Sequence, residues 1–266
     1  MFADVSSANV VGYLGRTRPC QYACYGSAFV KPGQIQFSLA ELDITWKATL
    51  PTQKNQGASR RNFIQFFRTE SALNLDASKA YYKCLADGNW YLKDTTQSSS
   101  TTGDVLVEDP SKITFDAGKG FLCNFSSSDA KITFNGEVIT GGEAKKLSVV
   151  RPCQYFVAGN PSAQELTLAD IDITWKATLP TQKNQGASRR NCIQFFKTES
   201  ALNLDPARCY YKCLADSKWY QKDTTQQSST SGDVEIDPTK VLISAGEGFL
   251  CNFSSSDATI SMGTSL

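Results

Sequence analysis

An all-β fold in two tandem domains is what this sequence predicts, and three observations carry it. Short apolar and aromatic stretches alternate with turn residues, and none keeps a helical period beyond a turn or two. A 20-residue segment, DITWKATLPTQKNQGASRRN at 43–62, recurs unchanged at 172–191, 129 positions on. The 266 residues then divide into two copies of roughly 130, each an ordinary domain size.

The match runs on through IQFF and TESALNLD, then YYKCLAD, a Trp-Tyr pair, a KDTTQ loop, a Gly-Asp-Val start and a GFLCNFSSSDA run. Upstream, RPCQY at 18–22 pairs with 151–155 at an offset of 133, so a loop of variable length follows it. In the first copy, β-formers bounded by turn residues predict strands at 9–14, 34–39, 62–68, 80–86, 90–93, 105–108, 112–115, 120–125 and 130–134. Residues 39–42 and 168–171 suit one helical turn, and Asp87-Gly88-Asn89 suits a tight hairpin because glycine accepts positive φ. The expected architecture is a β-sandwich or barrel-like domain per copy, from an internal duplication. Residues 1–17 read as an N-terminal arm, 18–140 as the first repeat and 141–266 as the second, with Gly-Gly and Lys-Lys punctuating the joint.

Composition narrows the chemistry. Lys plus Arg is 27 against 26 Asp plus Glu, a formal charge of +1, too balanced for binding nucleic acid through phosphate contacts. No apolar run reaches the roughly 18 residues of a membrane helix. Histidine is absent, which removes His-based nucleophile activation and His-ligated metals. No enzyme and no cofactor are expected. Nine cysteines without a single C-x-x-C pair disfavour zinc and favour disulfides in an oxidising compartment, with buried reduced thiols as the other reading. The start MFADVS lacks a basic segment and an apolar core, and reads as a mature form whose leader has been removed.

The cysteines differ informatively between copies. Phe63 and Ala80 are replaced together by Cys192 and Cys209 on adjacent expected strands, which predicts a Cys192 to Cys209 disulfide contributing roughly 3 kcal/mol. Cys24 has no counterpart and is the expected odd thiol.

Other motifs have a chemical and a structural reading. Glu41 with Asp43, and Asp170 with Asp172, suit calcium or a glycosidase pair, but alternate with apolar residues as a strand's solvent face would. Arg60-Arg61 and Arg189-Arg190 lack interleaved aromatics and are expected in a solvated or protein-contact loop, not a nucleic-acid patch. Asn124 and Asn252 begin N-x-S sequons, candidate glycosylation sites or polar turns. Aromatics at 66–67, 81–82 and 90–91 and their equivalents suit sugar stacking or core packing.

Together, ADVSSANVVGY at 3–13, YYKC before Trp90-Tyr91, GKGFLCN and KITFNGEV at 131–138 resemble secreted tandem-repeat surface proteins of Verrucomicrobia and Lentisphaerae-type bacteria. The resemblance spans most of both copies and implies export and an extracellular or cell-surface life, without an activity.

The function expected is therefore a structural subunit of an extracellular bacterial fibre or surface layer, assembling with copies of itself. Asn9, Val10, Val11 and Tyr13 form the expected assembly strand, free to reach an unfilled sheet edge in a neighbour. The alternative is a secreted carbohydrate-binding or adhesion module whose partners are surface glycans. A hydrolase using carboxylates alone ranks third.

Overall fold

A computed structural model of the chain describes residues 11–17, 19–45, 63–67, 77–84, 86–94, 103–125, 130–139, 145–174, 192–196, 206–213, 215–223, 232–253 and 258–264. Among the described residues the fold is all-β, with several antiparallel sheets and no helix of seven residues or more.

The first repeat contains β1 (Val11–Thr17), β2 (Tyr22–Gly26), β3 (Gln36–Ser38), β4 (Leu42–Thr45), β5 (Phe63–Phe67), β6 (Ala77–Lys83), β7 (Trp90–Leu92), β8 (Val105–Leu106), β9 (Thr114–Asp116), β10 (Gly120–Asn124) and β11 (Lys131–Glu137). They form a three-stranded sheet β1-β11-β4, a six-stranded sheet β2-β10-β5-β6-β7-β8 and the pair β3-β9. The second repeat contains β12 (Lys145–Val150), β13 (Tyr155–Gly159), β14 (Leu166–Thr167), β15 (Ile171–Thr174), β16 (Cys192–Phe196), β17 (Pro206–Lys212), β18 (Trp219–Gln221), β19 (Val234–Glu235), β20 (Leu242–Ile243), β21 (Gly248–Asn252) and β22 (Thr259–Thr264). Its sheets, β12-β22-β15, β13-β21-β16-β17-β18-β19 and β14-β20, repeat the same strand orders.

Local chemistry places the turns. Ser38 and Glu41 form a capping box over a single 3-10 turn at Leu39–Glu41, and Thr167 and Asp170 do the same at Leu168–Asp170, where one helical turn was expected. The expected strand at 34–39 is shortened because Ser38 starts this turn. Pro110–Lys112 is another 3-10 turn, capped by Asp109, so the strand expected at 112 begins at Thr114.

The predicted arm is not separate. β1 runs antiparallel to β11 from Val11↔Glu137 to Thr17↔Lys131, and so closes the first domain's own sheet. In the second domain β12 pairs with β22 in the same way.

Alternation then builds a sandwich core in the first repeat. Leu42 and Ile44, Ile132 and Phe134 face Ala23, Tyr25, Ile64, Phe66, Phe121 and Cys123 across the gap between the three- and six-stranded sheets. Phe66 stacks on Phe115 with ring centroids 4.2 Å apart.

Two strands break the alternation. In β2 and β13 every residue is buried, which requires cover on both faces. The second cover is the other repeat: Tyr22, Cys24 and Leu122 of the first join the core formed by Phe156, Val157, Leu250 and Cys251 of the second. At the crossing, a Cβ on Gly26 would overlap the Cα of Gly159, and one on Gly159 the Cα of Gly26. The Gly26 N–H donates to the Gly246 carbonyl (3.1 Å), and the Gly159 N–H to the Gly118 carbonyl (3.0 Å). The repeats are thus joined by backbone contact and a shared core.

Two predictions follow from this geometry. Gly26→Val forces a side chain into the crossing and is expected to lower unfolding free energy by about 3 kcal/mol, read by urea denaturation. At the hairpin, Gly88 has φ +71°, while its equivalent Ser217 holds φ +59°, in the left-handed region. Ser217→Gly relieves that conformation and is expected to stabilise by about 1 kcal/mol in the same assay.

Candidate functional site

The carboxylates considered for metal or glycosidase chemistry are held by structural partners. Glu41 Oε2 accepts from the Ser38 N–H at 2.5 Å and from Ser38 Oγ at 2.6 Å. Asp170 Oδ2 accepts from the Thr167 N–H and hydroxyl at 2.7 and 2.8 Å. Asp43 pairs with Lys83 at 2.6 Å and Asp172 with Lys212 at 3.4 Å. These ion pairs are partly exposed, and such pairs contribute about 0–1 kcal/mol. Among the described residues no group of three or more Cys, Asp or Glu is arranged to hold a metal ion, and no helix is long and apolar enough to cross a membrane.

The candidate assembly strand is placed in part. Asn9 and Val10 lie outside the described residues, whereas Val11 and Tyr13 are 73% and 67% exposed on β1. Because β1 is seated against β11, it is not a free donor, and because β12 occupies the equivalent place beside β22, the second domain has no empty groove there. What both strands offer is an outer edge: β1 and β12 are terminal in their three-stranded sheets. Sequence reading missed further exposed apolar residues on other terminal strands. Val105 and Leu106 lie on β8, Val234 on β19 and Val150 on β12. The repeated Gly-Asp-Val was the signal for the first and third of these.

Most of the aromatics weighed for sugar stacking are core residues. Phe66, Tyr81, Tyr82, Trp90 and Tyr91 are buried, as are Phe195, Tyr210, Tyr211, Trp219 and Tyr220. Asn124 Oδ1 accepts from Gln21 Nε2 and Asn252 Oδ1 from Gln154 Nε2, each at 3.0 Å, so both sequon amides are half-buried braces at a strand end. Arg60, Arg61, Arg189 and Arg190 lie outside the described residues.

Two clefts flank the Gly26/Gly159 crossing, at equivalent places in the two repeats. One, of about 370 Å³, has Phe66 and Lys119 in its wall, with Lys119 Nζ 5.6 Å from the Phe66 ring centroid. The other, of about 270 Å³, has Phe195 and Arg208, the guanidinium 4.6 Å from the ring centroid and 3.7 Å from Glu247. Cys24 also lines the second cleft, but burial, then Cys20 and Glu247, push its thiol well above the usual range, which suppresses nucleophilicity.

All nine cysteines are buried, and none is in a disulfide. The expected Cys192 to Cys209 disulfide is not formed in this structure, although β16 and β17 bring the two residues together, with Cys209 hydrogen-bonded to Cys192. Cys24, the expected odd thiol, is not distinguished from the other eight by disulfide bonding. Cys20 and Cys153 hydrogen-bond the carbonyls of Tyr22 and Tyr155 at 2.8 and 2.9 Å, a structural role repeated in both copies.

Compared with protein-family models, with curated proteins and with solved structures, the chain has no match.

The hairpins carrying Cys84 and Cys213 have a pH-dependent brace. The Tyr91 hydroxyl donates to Asp87 (2.7 Å) and the Tyr220 hydroxyl to Asp216 (2.8 Å). Those bonds, with burial second, push both phenols up to about 12. The folded value lies above the unfolded phenol's roughly 10, so the contribution is complete below pH 10 and is lost as pH rises through 12. Unfolding free energy measured in urea should fall over that window, and fall less in the Tyr91→Phe/Tyr220→Phe variant.

Proposed function

We propose that this protein is a structural subunit that associates head to tail with copies of itself in an extracellular bacterial fibre or surface layer. One observation carries the reading: among the described residues, eight large apolar side chains are exposed, and seven of them, Val11, Tyr13, Val105, Leu106, Val150, Val234 and Leu242, lie on sheet-terminal strands. An exposed edge with apolar side chains is a template for another strand. The edges are not equal. β8 and β19 span two residues each and are preceded by buried Asp104 and Asp233, features that blunt an edge. β1 spans seven residues, with no proline and no carboxylate, and β12 spans six. Because β1 is already paired on one side, the contact is edge to edge instead of donation of a free arm. One such edge per repeat provides each molecule with two ends, and pairing β1 of one with β12 of the next is heterologous and propagates. The resemblance of the ADVSSANVVGY start to secreted repeat proteins supports the extracellular placement.

The test is charge at the edges. Val11→Lys/Tyr13→Lys and, separately, Val150→Lys alter exposed side chains and are expected to leave circular dichroism unchanged. Each should abolish filaments or sheets in negative-stain micrographs and shift sedimentation to monomer. Assemblies that survive both changes, or wild-type protein that sediments as a monomer at every concentration, would overturn the reading.

A further inference from the structure

The second repeat differs from the first by a chemical pair. Cys192 and Cys209 stand where the first repeat has Phe63 and Ala80. In the ladder between β16 and β17, Cys192 opposes Tyr211 and Gln194 opposes Cys209, so the two cysteines are diagonal neighbours on one face of the sheet. The first repeat has the same register, Phe63↔Tyr82 and Gln65↔Ala80, without the thiols. Cys192 and Cys209 pack with Tyr211, Cys213 and Tyr220 in a small cluster separate from the main core.

The two sulfurs are not equivalent. Cys192 receives a hydrogen bond from the Cys209 thiol, and Gln194 Nε2 lies 3.7 Å from its sulfur. These contacts, with the Lys222 ammonium nearby, outweigh burial and lower the Cys192 thiol below its ordinary value. At Cys123 and Cys251 burial dominates and pushes the thiol well above it. The thiolate is the nucleophile, so these settings separate a reactive sulfur from inert ones.

We propose that Cys192 and Cys209 form a dithiol oxidation site, with Cys192 the attacking sulfur and Cys209 the resolving one, and that the oxidant is a small peroxide. Both residues are buried, at 4% and 1% exposure, which favours hydrogen peroxide over bulky disulfide reagents. The Cys192 thiolate attacks one peroxide oxygen: an S–O bond forms, the O–O bond breaks, and the departing hydroxide takes up the proton that Cys192 had released. Cys209 sulfur then attacks the Cys192 sulfenic acid, forming the S–S bond, and its proton leaves with the displaced hydroxyl as water. Two thiols and one hydrogen peroxide become one disulfide and two waters. The product ties β16 to β17 in the second repeat alone, and the first repeat, with Phe63 and Ala80, is an internal control. The inference is independent of the assembly reading, and neither stands or falls with the other.

The experiment uses the whole reduced chain. It is treated with one equivalent of hydrogen peroxide, denatured, alkylated and mapped without reduction. A Cys192–Cys209 linked peptide with the other seven cysteines alkylated is the expected result. In Cys209→Ser, which keeps a hydroxyl donor to the Cys192 sulfur but cannot resolve the sulfenic acid, dimedone should label Cys192, about tenfold faster than Cys123 or Cys251. In Cys192→Phe no label should appear at Cys209. The double variant Cys192→Phe/Cys209→Ala places in the second repeat the residues that the first already carries at these ladder positions, and should fold and form no linked peptide. Linkage between other cysteines, both thiols alkylated after peroxide, or dimedone on Cys209 in Cys192→Phe would each overturn the assignment.

Discussion

The structure depends on the crossing of β2 and β13, where Gly26 and Gly159 meet with no room for a side chain. Removing two Cβ atoms brings the backbones close enough for each repeat to donate one N–H across the seam. It also lets Tyr22, Cys24 and Leu122 reach the second repeat's core. A seam of this kind behaves as core and not as a hinge, because apolar surface on both sides is removed from water together. The two clefts lie at its margins, each with a cation over a phenylalanine ring in its wall.

Around that seam the polar groups are matched within each repeat. Tyr82 donates to buried Asp104 at 2.6 Å and Tyr211 to buried Asp233 at 2.5 Å, and each carboxylate also accepts a backbone N–H, from Asp94 and Asp223. A buried carboxylate with such donors is tolerated, whereas one left alone is not. The same logic absorbs Glu41, Asp43, Asp170 and Asp172 into caps and ion pairs. With those groups engaged, the chemistry left to the outside lies at sheet edges, and the chemistry left to the inside lies where the two copies differ.

Those differences are legible because the frame is shared. Gly88 and Ser217 occupy one hairpin position, and only glycine fits its positive φ freely. Phe63 and Ala80 against Cys192 and Cys209 exchange an apolar pair for two thiols without altering the ladder. Residues identical in both copies, such as the sequon asparagines and their glutamine donors, serve the fold in both.

The sequence by itself determined the all-β class, the two-copy plan, a single helical turn near 39–42 and 168–171, the Asp87 hairpin and the proximity of Cys192 to Cys209. Each follows from interactions within a strand, a turn or one pair of neighbouring strands, and these have a local period or spacing. Only the tertiary structure decided that β2 and β13 are strands, because burial on both faces erases the alternation that marks a half-exposed strand. It also decided that 11–17 belongs to the first sheet, since its partner lies more than a hundred residues away at Lys131–Glu137. The same holds for the aromatic pairs: Trp-Tyr and Tyr-Tyr read alike as a sugar platform or as core, and only the second layer of packing, which covers them, distinguishes the two.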